Sequence, residues 1–417
     1  MHDQPRRTSR RTPAKVYRRR RIVVFSVVGL LLATVLYVMG SLVAPIPATA
    51  ADLARHSASI VQPAAALAWP SGAAAITAPD YPGATATHGT TGSVPIASMT
   101  KTVTALVILD KKPVGSGAEG PSIAFTQKDV DIWHEVVADG GSWAPVQAGT
   151  SMTEKQALTA MLLPSANNYA ISLADWAYGS SGAFVKAANA WLAERKFTGT
   201  HLVSPDGLDP GNVSTTADLI GIGKLVLKDP LLSAIVSQKS ATLPGAGAQD
   251  NTNSLLGFDG IDGIKTGNTD QAGYCLLFSA DVTVGTSKVR VIGAVLGAAD
   301  HDHLWAGVKS LLASMQAGFH QVDASKAGQA YGTYTTPWGA KAALVSTATK
   351  SFVVWSNTPI AVAVKTHPVQ SGRKGDVVGQ VSFTLNGTTQ RAPLALTKDL
   401  PDPGFLWRLV HPGGFGT

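Results

Sequence analysis

Only one cysteine, Cys275, stands in 417 residues. No intrachain disulfide can brace this fold, and no thiolate cluster can hold a metal. Charged residues are scarce too, at 15%, and the basic excess is local. Residues 1–21 hold nine basic side chains (Arg6, Arg7, Arg10, Arg11, Lys15, Arg18, Arg19, Arg20 and Arg21) against Asp3, a surplus of eight, so the net +7 leaves −1 for the other 396 residues. A body with no basic surplus lacks the electrostatic footprint of a nucleic-acid binder. Charge is absent altogether from Ile22 to Val43, a run of 22 residues. As a helix rising about 1.5 Å per residue, that run spans the roughly 30 Å hydrocarbon core of a bilayer. Arginines precede it and no charge follows until Asp52. The positive-inside rule then leaves the tail in the cytoplasm and the rest of the chain outside. Ala48-Thr49-Ala50 has the small-residue pattern of a signal cleavage site, which keeps a cleaved, secreted form as the alternative. The apolar stretch exceeds the roughly 7–15 residues of a signal core, and this favours an uncleaved anchor.

With 45% hydrophobic residues the chain can bury a large core, and wholesale disorder is excluded. Residues 1–21 read as a basic tail, 22–44 as the membrane helix and 45–62, small and Pro/Ala-rich, as a linker. From residue 63 to 320 the patterns are mixed. Trp69 to Thr77 reads as a strand, and the Gly/Thr-rich stretch from Pro82 to Ser93 as loop. Helical spacing begins at Ser98 and recurs over Glu154–Leu163, Asn168–Trp176, Gly182–Arg195, Thr216–Leu227 and His303–Ala317. Ala272–Val284 and Lys288–Ala298, joined by Gly285-Thr286-Ser287, read as a hairpin. Residues 321–417 carry short apolar runs separated by Pro, Gly, Asn and Thr, the pattern of a small all-β domain.

Three short elements carry chemistry. Ser98-Met99-Thr100-Lys101 puts a hydroxyl and an amine three residues apart, on one helix face. A neutral amine there can accept the serine proton, provided burial or a second cation disfavours the ammonium form. The same spacing at Ser371-Gly372-Arg373-Lys374 falls in a glycine-bearing turn and reads as chance. Ser165-Ala166-Asn167 follows Pro164 and offers a hydroxyl with an amide; taken alone it reads as a helix start. Lys265-Thr266-Gly267-Asn268 precedes a strand pattern, and lysine and threonine on a sheet edge can bind a carboxylate, with Gly267 leaving room for a ligand backbone. Ile264 interrupts the Gly-Lys-Thr of a phosphate loop.

In this order the three elements resemble the Ser-x-x-Lys, Ser-x-Asn and Lys-Thr-Gly set of penicillin-binding proteins and serine β-lactamases. The chain most resembles the low-molecular-weight D-alanyl-D-alanine carboxypeptidases. The likeness runs over roughly residues 65–320 and includes MLLPSANNYA from Met161, THLVSPDGLDPGNVSTTADL from Thr200, NTNSLL from Asn251 and VIGAVLGA from Val291. The resemblance implies an α/β fold, an antiparallel sheet with helices on both faces, plus a trailing β domain. It implies that Ser98 attacks a terminal D-Ala-D-Ala bond with Lys101 as base, and that Ser165 passes a proton to the departing D-alanine. Asn167 would hold the substrate amide, Lys265, Thr266 and Gly267 would form the carboxylate side, and the N–H groups of Ser98 and Asn268 the oxyanion hole. Its partners would be peptidoglycan stem peptides, β-lactams as covalent inhibitors and the bacterial cell membrane, with no metal or organic cofactor.

Two departures are visible. Ala166 stands where the family commonly has glycine. Asp300-His301-Asp302-His303 occupies a stretch where an arginine is often found; Arg290 on the preceding strand reads as a surface residue, and the two histidines as a solvated turn rather than a metal site. Two other functions compete. A β-lactamase needs a deacylating glutamate, and the only glutamate between Asn167 and Lys265 is Glu194, outside the Glu-x-x-Leu-Asn pattern of class A enzymes. A non-catalytic wall-peptide binder would not need the Ser98–Lys101 pair.

Overall fold

A computed structural model describes residues 14–412, so most of the basic tail lies outside the described residues. The chain divides into two compact units. One holds the residues up to 60, 323–351 and those from 360 onward; the other holds 61–322 and 352–359.

The smaller unit begins with helix α1 (Ala14–Val43). Residues Val16–Val43 are long and apolar enough to cross a membrane. A short helix near the other end of the chain, Phe405–Val410, packs on α1. Arg408 Nη1 donates to the carbonyls of Leu42 at 3.0 Å and Ala44 at 3.2 Å, groups that the end of a helix leaves unpaired. Tyr37 donates its hydroxyl to Leu409 O at 2.7 Å. The unit's seven-stranded sheet runs in the order Ala51–Leu53, Ala330–Thr335, Lys341–Ser346, Thr388–Leu396, Val377–Leu385, Ile360–Thr366 and Ser59–Ile60. The stretch read as a linker thus supplies both edge strands. Strands of three and two residues are too short to show a period in sequence; edge pairing needs only backbone groups, as at Asp52 with Thr333 and Ser59 with Ala361.

The larger unit is built on a five-stranded antiparallel sheet of β1 (Ala73–Thr77), β2 (Thr85–His88), β3 (Ile261–Thr269), β4 (Gly273–Val284) and β5 (Ser287–Ala298), in the order β3-β4-β5-β1-β2. The expected hairpin is β4–β5. The stretch expected to be loop contributes β2, which pairs with β1; its Thr-Ala-Thr-His sequence has no large apolar residue to mark a strand. Helices follow in chain order: α2 (Thr100–Lys111), α3 (Gln127–Ala138), α4 (Glu154–Leu162), α5 (Asn167–Tyr178), α6 (Ser181–Glu194), α7 (Thr216–Lys228), α8 (Pro230–Val236) and α9 (His301–Ala317). Side chains alternate across the sheet. Ala75, Leu277, Ile292 and Ala294 join α2, α5 and α7 in one core; Ile76, Leu276, Phe278 and Val295 join α9 in the other. Helices therefore cover both faces, and the edge strand β3 is left beside the start of α2.

Helix α4, which leads into Ser165, opens with a reciprocal cap: Gln156 N donates to Thr153 Oγ1 at 3.2 Å, and Thr153 N to Gln156 Oε1 at 2.9 Å. Glu154, its first residue, is 0% exposed, and neither carboxylate oxygen has a hydrogen-bond partner among the described residues. Burial pushes its carboxyl up to about 7 from 4.5, against the opposing pull of Lys112. Between those values the folded protein holds a proton that the unfolded chain has released, so stability falls as pH rises through that window. Glu154→Gln should therefore melt above the native protein near pH 8, by about 1–3 kcal/mol, and lose that advantage near pH 5. Equal melting curves at both pH values would dispose of this reading.

Candidate active site

Ser98 lies in a single 3₁₀ turn, Ala97–Met99, that runs into α2. Ala97 before it has φ +46°, a left-handed conformation unusual for alanine. Ser98 does not cap the helix: Met99 holds that position, without a side-chain bond. Its hydroxyl meets Lys101 Nζ at 2.8 Å instead.

Lys101 is 0% exposed, and its amine has two further neighbours, Asn167 Oδ1 at 2.7 Å and the Asp206 carbonyl at 2.7 Å. Both are oxygens that only accept. A neutral amine has two N–H bonds and one lone pair. Once the N–H bonds are given to the two carbonyls, the lone pair is left for the Ser98 O–H. Burial supports that state, since it pushes the Lys101 amine down to about 8 against the opposing charge of Asp206. Lys265, on β3, is 2% exposed and is held well below the ordinary lysine range, first by burial and then by the neighbouring charge of Lys101. Of the two causes that the sequence reading offered, burial is the one that holds the Lys101 amine down, and Lys265 is the group that feels the charge of Lys101.

The loop that brings Asp206 to Lys101 is tightly seated. Gly207 has φ +86°, and a Cβ there would lie 2.1 Å from Ala97 O, so no other residue fits against the Ser98 turn. Asn212 Oδ1 accepts from Val203 N at 2.9 Å and Ser204 N at 3.1 Å, and Ser204 Oγ donates to Asp206 Oδ1 at 2.6 Å. Gly267 does the corresponding job on β3: a Cβ would sit 2.8 Å from Ile96 O and 3.3 Å from Met99 N.

Ser165 has φ +64° and is 4% exposed, and its Oγ has no hydrogen-bond partner among the described residues. It is not a helix cap, since Ala166 occupies that position at the start of α5. A strained, buried, unpartnered hydroxyl is a functional signal. A cleft of about 390 Å³ joins the elements: Ser98, Ser165, Thr266, Gly267 and Asn268 line it, with Ser142, Thr252, Cys275 and His301. Asn167 and Lys265 stand behind the wall, 2% exposed each, and bond to Lys101 and Thr266 respectively. Burial pushes the Cys275 thiol up to about 11, which keeps it protonated at neutral pH and unreactive.

The histidines differ from the solvated turn expected of them. They open α9: Asp300 Oδ1 accepts from His303 N and pairs with His303 Nδ1, both at 2.8 Å, while the His301 ring packs against Tyr274 and Trp305 with centroids 4.5 and 5.5 Å away. Among the described residues no group of three His, Cys, Asp or Glu is placed to hold a metal. Arg290 bonds Asp262 at 2.6 Å and Asp281 at 2.9 Å and does not line the cleft. Among the residues of the site without a role in the sequence reading are Asp206 and Thr252. The first sits in Ser-Pro-Asp-Gly, a turn signature that marks a loop but not what its carbonyl will face.

The sequence profile of the family described as D-alanyl-D-alanine carboxypeptidase matches residues 85–300. D-alanyl-D-alanine carboxypeptidase DacA of Escherichia coli (strain K12) is 28% identical over 328 residues, covering 75% of this chain and 79% of DacA. A D-alanyl-D-alanine endopeptidase of Pseudomonas aeruginosa is 34% identical over 211 residues, 48% of this chain and 63% of its own. Among solved structures, penicillin binding protein 5 from Haemophilus influenzae has a TM-score of 0.56 at 22% identity, over 82% of this chain and 99% of that one, a likeness of fold. The Streptomyces K15 DD-transpeptidase scores 0.52 at 26% identity, over 62% of this chain and 100% of that one.

Proposed function

The chain belongs to the D-alanyl-D-alanine carboxypeptidase family, and on that premise we propose that Ser98 is its acylating nucleophile and Lys101 the base. The protein is a serine peptidase that removes the terminal D-alanine from peptidoglycan stem peptides ending in D-Ala-D-Ala. The observation that carries the residue assignment is the 2.8 Å contact of the Lys101 amine with Ser98 Oγ beside two carbonyl acceptors; when the amine is neutral, its two N–H bonds go to those carbonyls and its lone pair faces Ser98.

In the proposed reaction the Ser98 proton passes to Lys101 as Oγ bonds to the carbonyl carbon of the penultimate D-alanine. Negative charge builds on the carbonyl oxygen, within reach of the N–H groups of Ser98 and Asn268, two residues that line the cleft. The C–N bond then breaks. Lys101 returns its proton through the Ser165 hydroxyl to the leaving amine, and D-alanine departs. Water attacks the ester and restores Ser98. Ser165 is given the relay because its hydroxyl lines the cleft with no other engagement among the described residues; it is not bonded to Lys101 in the free protein, so the relay forms only once substrate is bound. The role given to Asn167 is positional: its carbonyl oxygen holds the base in place.

Incubation with a peptide ending in D-Ala-D-Ala, followed by mapping of the penicillin adduct by mass spectrometry, tests the assignment. D-alanine release together with an adduct on Ser98 is expected. An adduct elsewhere, or none, overturns it. Glu194 is an exposed residue paired with Arg195 and does not line the cleft, so the bound penicilloyl group should survive gel filtration rather than turn over.

The proposed location is the outer face of the bacterial cell membrane, with α1 as a single-pass anchor that keeps the catalytic unit beside its polymeric substrate. A chain lacking residues 1–44 should leave the membrane pellet and still release D-alanine. A chain lacking residues 1–62 loses both edge strands of the seven-stranded sheet and should melt at a lower temperature. Retention of the first truncation in the pellet would argue against α1 as the anchor.

A further inference from the structure

Beside Thr266, which the family resemblance puts on the carboxylate side, the cleft presents a second hydroxyl, that of Thr252, with no role in the reaction above. Thr252 Oγ1 and Thr266 Oγ1 lie 2.6 Å apart and both line the cleft. Thr252 is held there from both sides. Asn251 Nδ2 donates to Gln238 O at 2.9 Å and Val236 O at 3.3 Å; Asn253 Nδ2 donates to Gly263 O at 3.2 Å, and Thr252 N to Leu163 O at 3.1 Å. The segment thus spans from the strand that carries Thr266 to the chain just before Ser165.

Two hydroxyls this close share one hydrogen and keep the other free to donate. When an anion arrives, the shared hydrogen can turn toward it, so that each carboxylate oxygen receives one O–H. Behind the pair stands the Lys265 amine, 3.5 Å from Thr266 Oγ1, and an anion at the threonines would lie next to it. Arg290 is committed to Asp262 and Asp281, so it does not compete for this role.

We propose that Thr252 is a specificity-determining residue of this enzyme, its hydroxyl acting with that of Thr266 to receive the terminal carboxylate of the substrate. The proposal rests on the D-Ala-D-Ala carboxypeptidase reading of the same cleft and names the group that distinguishes a free peptide end from a blocked one. A hydrogen bond to a carboxylate that is lost on the protein side, or on the ligand side, removes the same interaction.

The test uses the full chain carrying Ser98→Ala, which binds without turnover, and two peptides, one ending in D-Ala-D-Ala with a free carboxylate and one with that end amidated. Thr252→Val, nearly the same shape without the hydroxyl, should weaken the free-acid peptide about tenfold or more and leave the amide unchanged; Thr252→Ser should restore most of the difference. In the active protein the same change should raise KM while kcat stays within about threefold. Equal weakening of both peptides would mean that Thr252 only supports the loop, and unchanged binding of both would mean that it does not touch substrate; either result overturns the proposal. Penicillin labelling of Ser98 in the Thr252→Val protein separates these outcomes from a failure of the reaction itself.

Discussion

Ser98→Ala should eliminate the covalent penicillin adduct and lower D-alanine release by about 10⁴-fold or more, the scale seen when an acylating nucleophile is removed. The fold should survive, since the Ser98 hydroxyl has Lys101 as its only side-chain partner among the described residues and its loss leaves no buried carbonyl without a donor. Among the described residues no other serine of the cleft is placed to take over. Of the two other serines that line the cleft, Ser142 and Ser165, neither is bonded to a base, Ser165 Oγ having no hydrogen-bond partner among the described residues, and the one thiol there is kept protonated by burial. The measurement is labelling with fluorescent penicillin, paired with a thermal melt to show that the variant is folded. Labelling at the native rate in a folded variant would dismiss Ser98 as the nucleophile.

Lys101→Met should slow acylation by about 10²–10⁴-fold, the usual contribution of a general base. Methionine keeps roughly the volume of the buried side chain, but it leaves Asn167 Oδ1 and the Asp206 carbonyl without their donor, at a cost of about 1–3 kcal/mol in stability. The pH profile separates the base from a structural role. In the native protein kcat/KM should climb as pH rises toward about 8, where the Lys101 amine loses its proton, because only the neutral amine can accept from Ser98. The methionine variant should retain its residual rate without that limb. A variant that still rises with the same midpoint would assign the limb to another group, with Lys265 the next candidate because burial holds its amine down too.

Much of this arrangement is legible in the chain. Ser98 and Lys101 are three residues apart, and a helical turn converts that spacing into a contact of 2.8 Å. The hairpin β4–β5 shows in two long apolar runs around Gly285-Thr286, whereas Lys265, Thr266 and Gly267, read as preceding a strand, lie within the edge strand β3 itself. Other parts leave no local trace. Asp206 meets Lys101 through a backbone carbonyl, and every residue carries one, so nothing in its side chain announces the contact. Thr252 reads as one threonine among many until its hydroxyl is seen against that of Thr266. The strands at Ala51–Leu53 and Ser59–Ile60 are made by backbone pairing to distant strands, and their small residues read as a linker.

What the amino-acid order determined alone is the inventory and its local geometry: one hydroxyl–amine pair on a turn, an apolar run of membrane length, and the chemistry of thiol-free acyl transfer. The tertiary structure decided which proton state that chemistry starts from. Lys101 is poised because the core around it excludes water, while Asn167 and Asp206, 66 and 105 residues further along the chain, hold its amine in place. Burial and long-range hydrogen bonds are properties of packing, and no local pattern of residues encodes them.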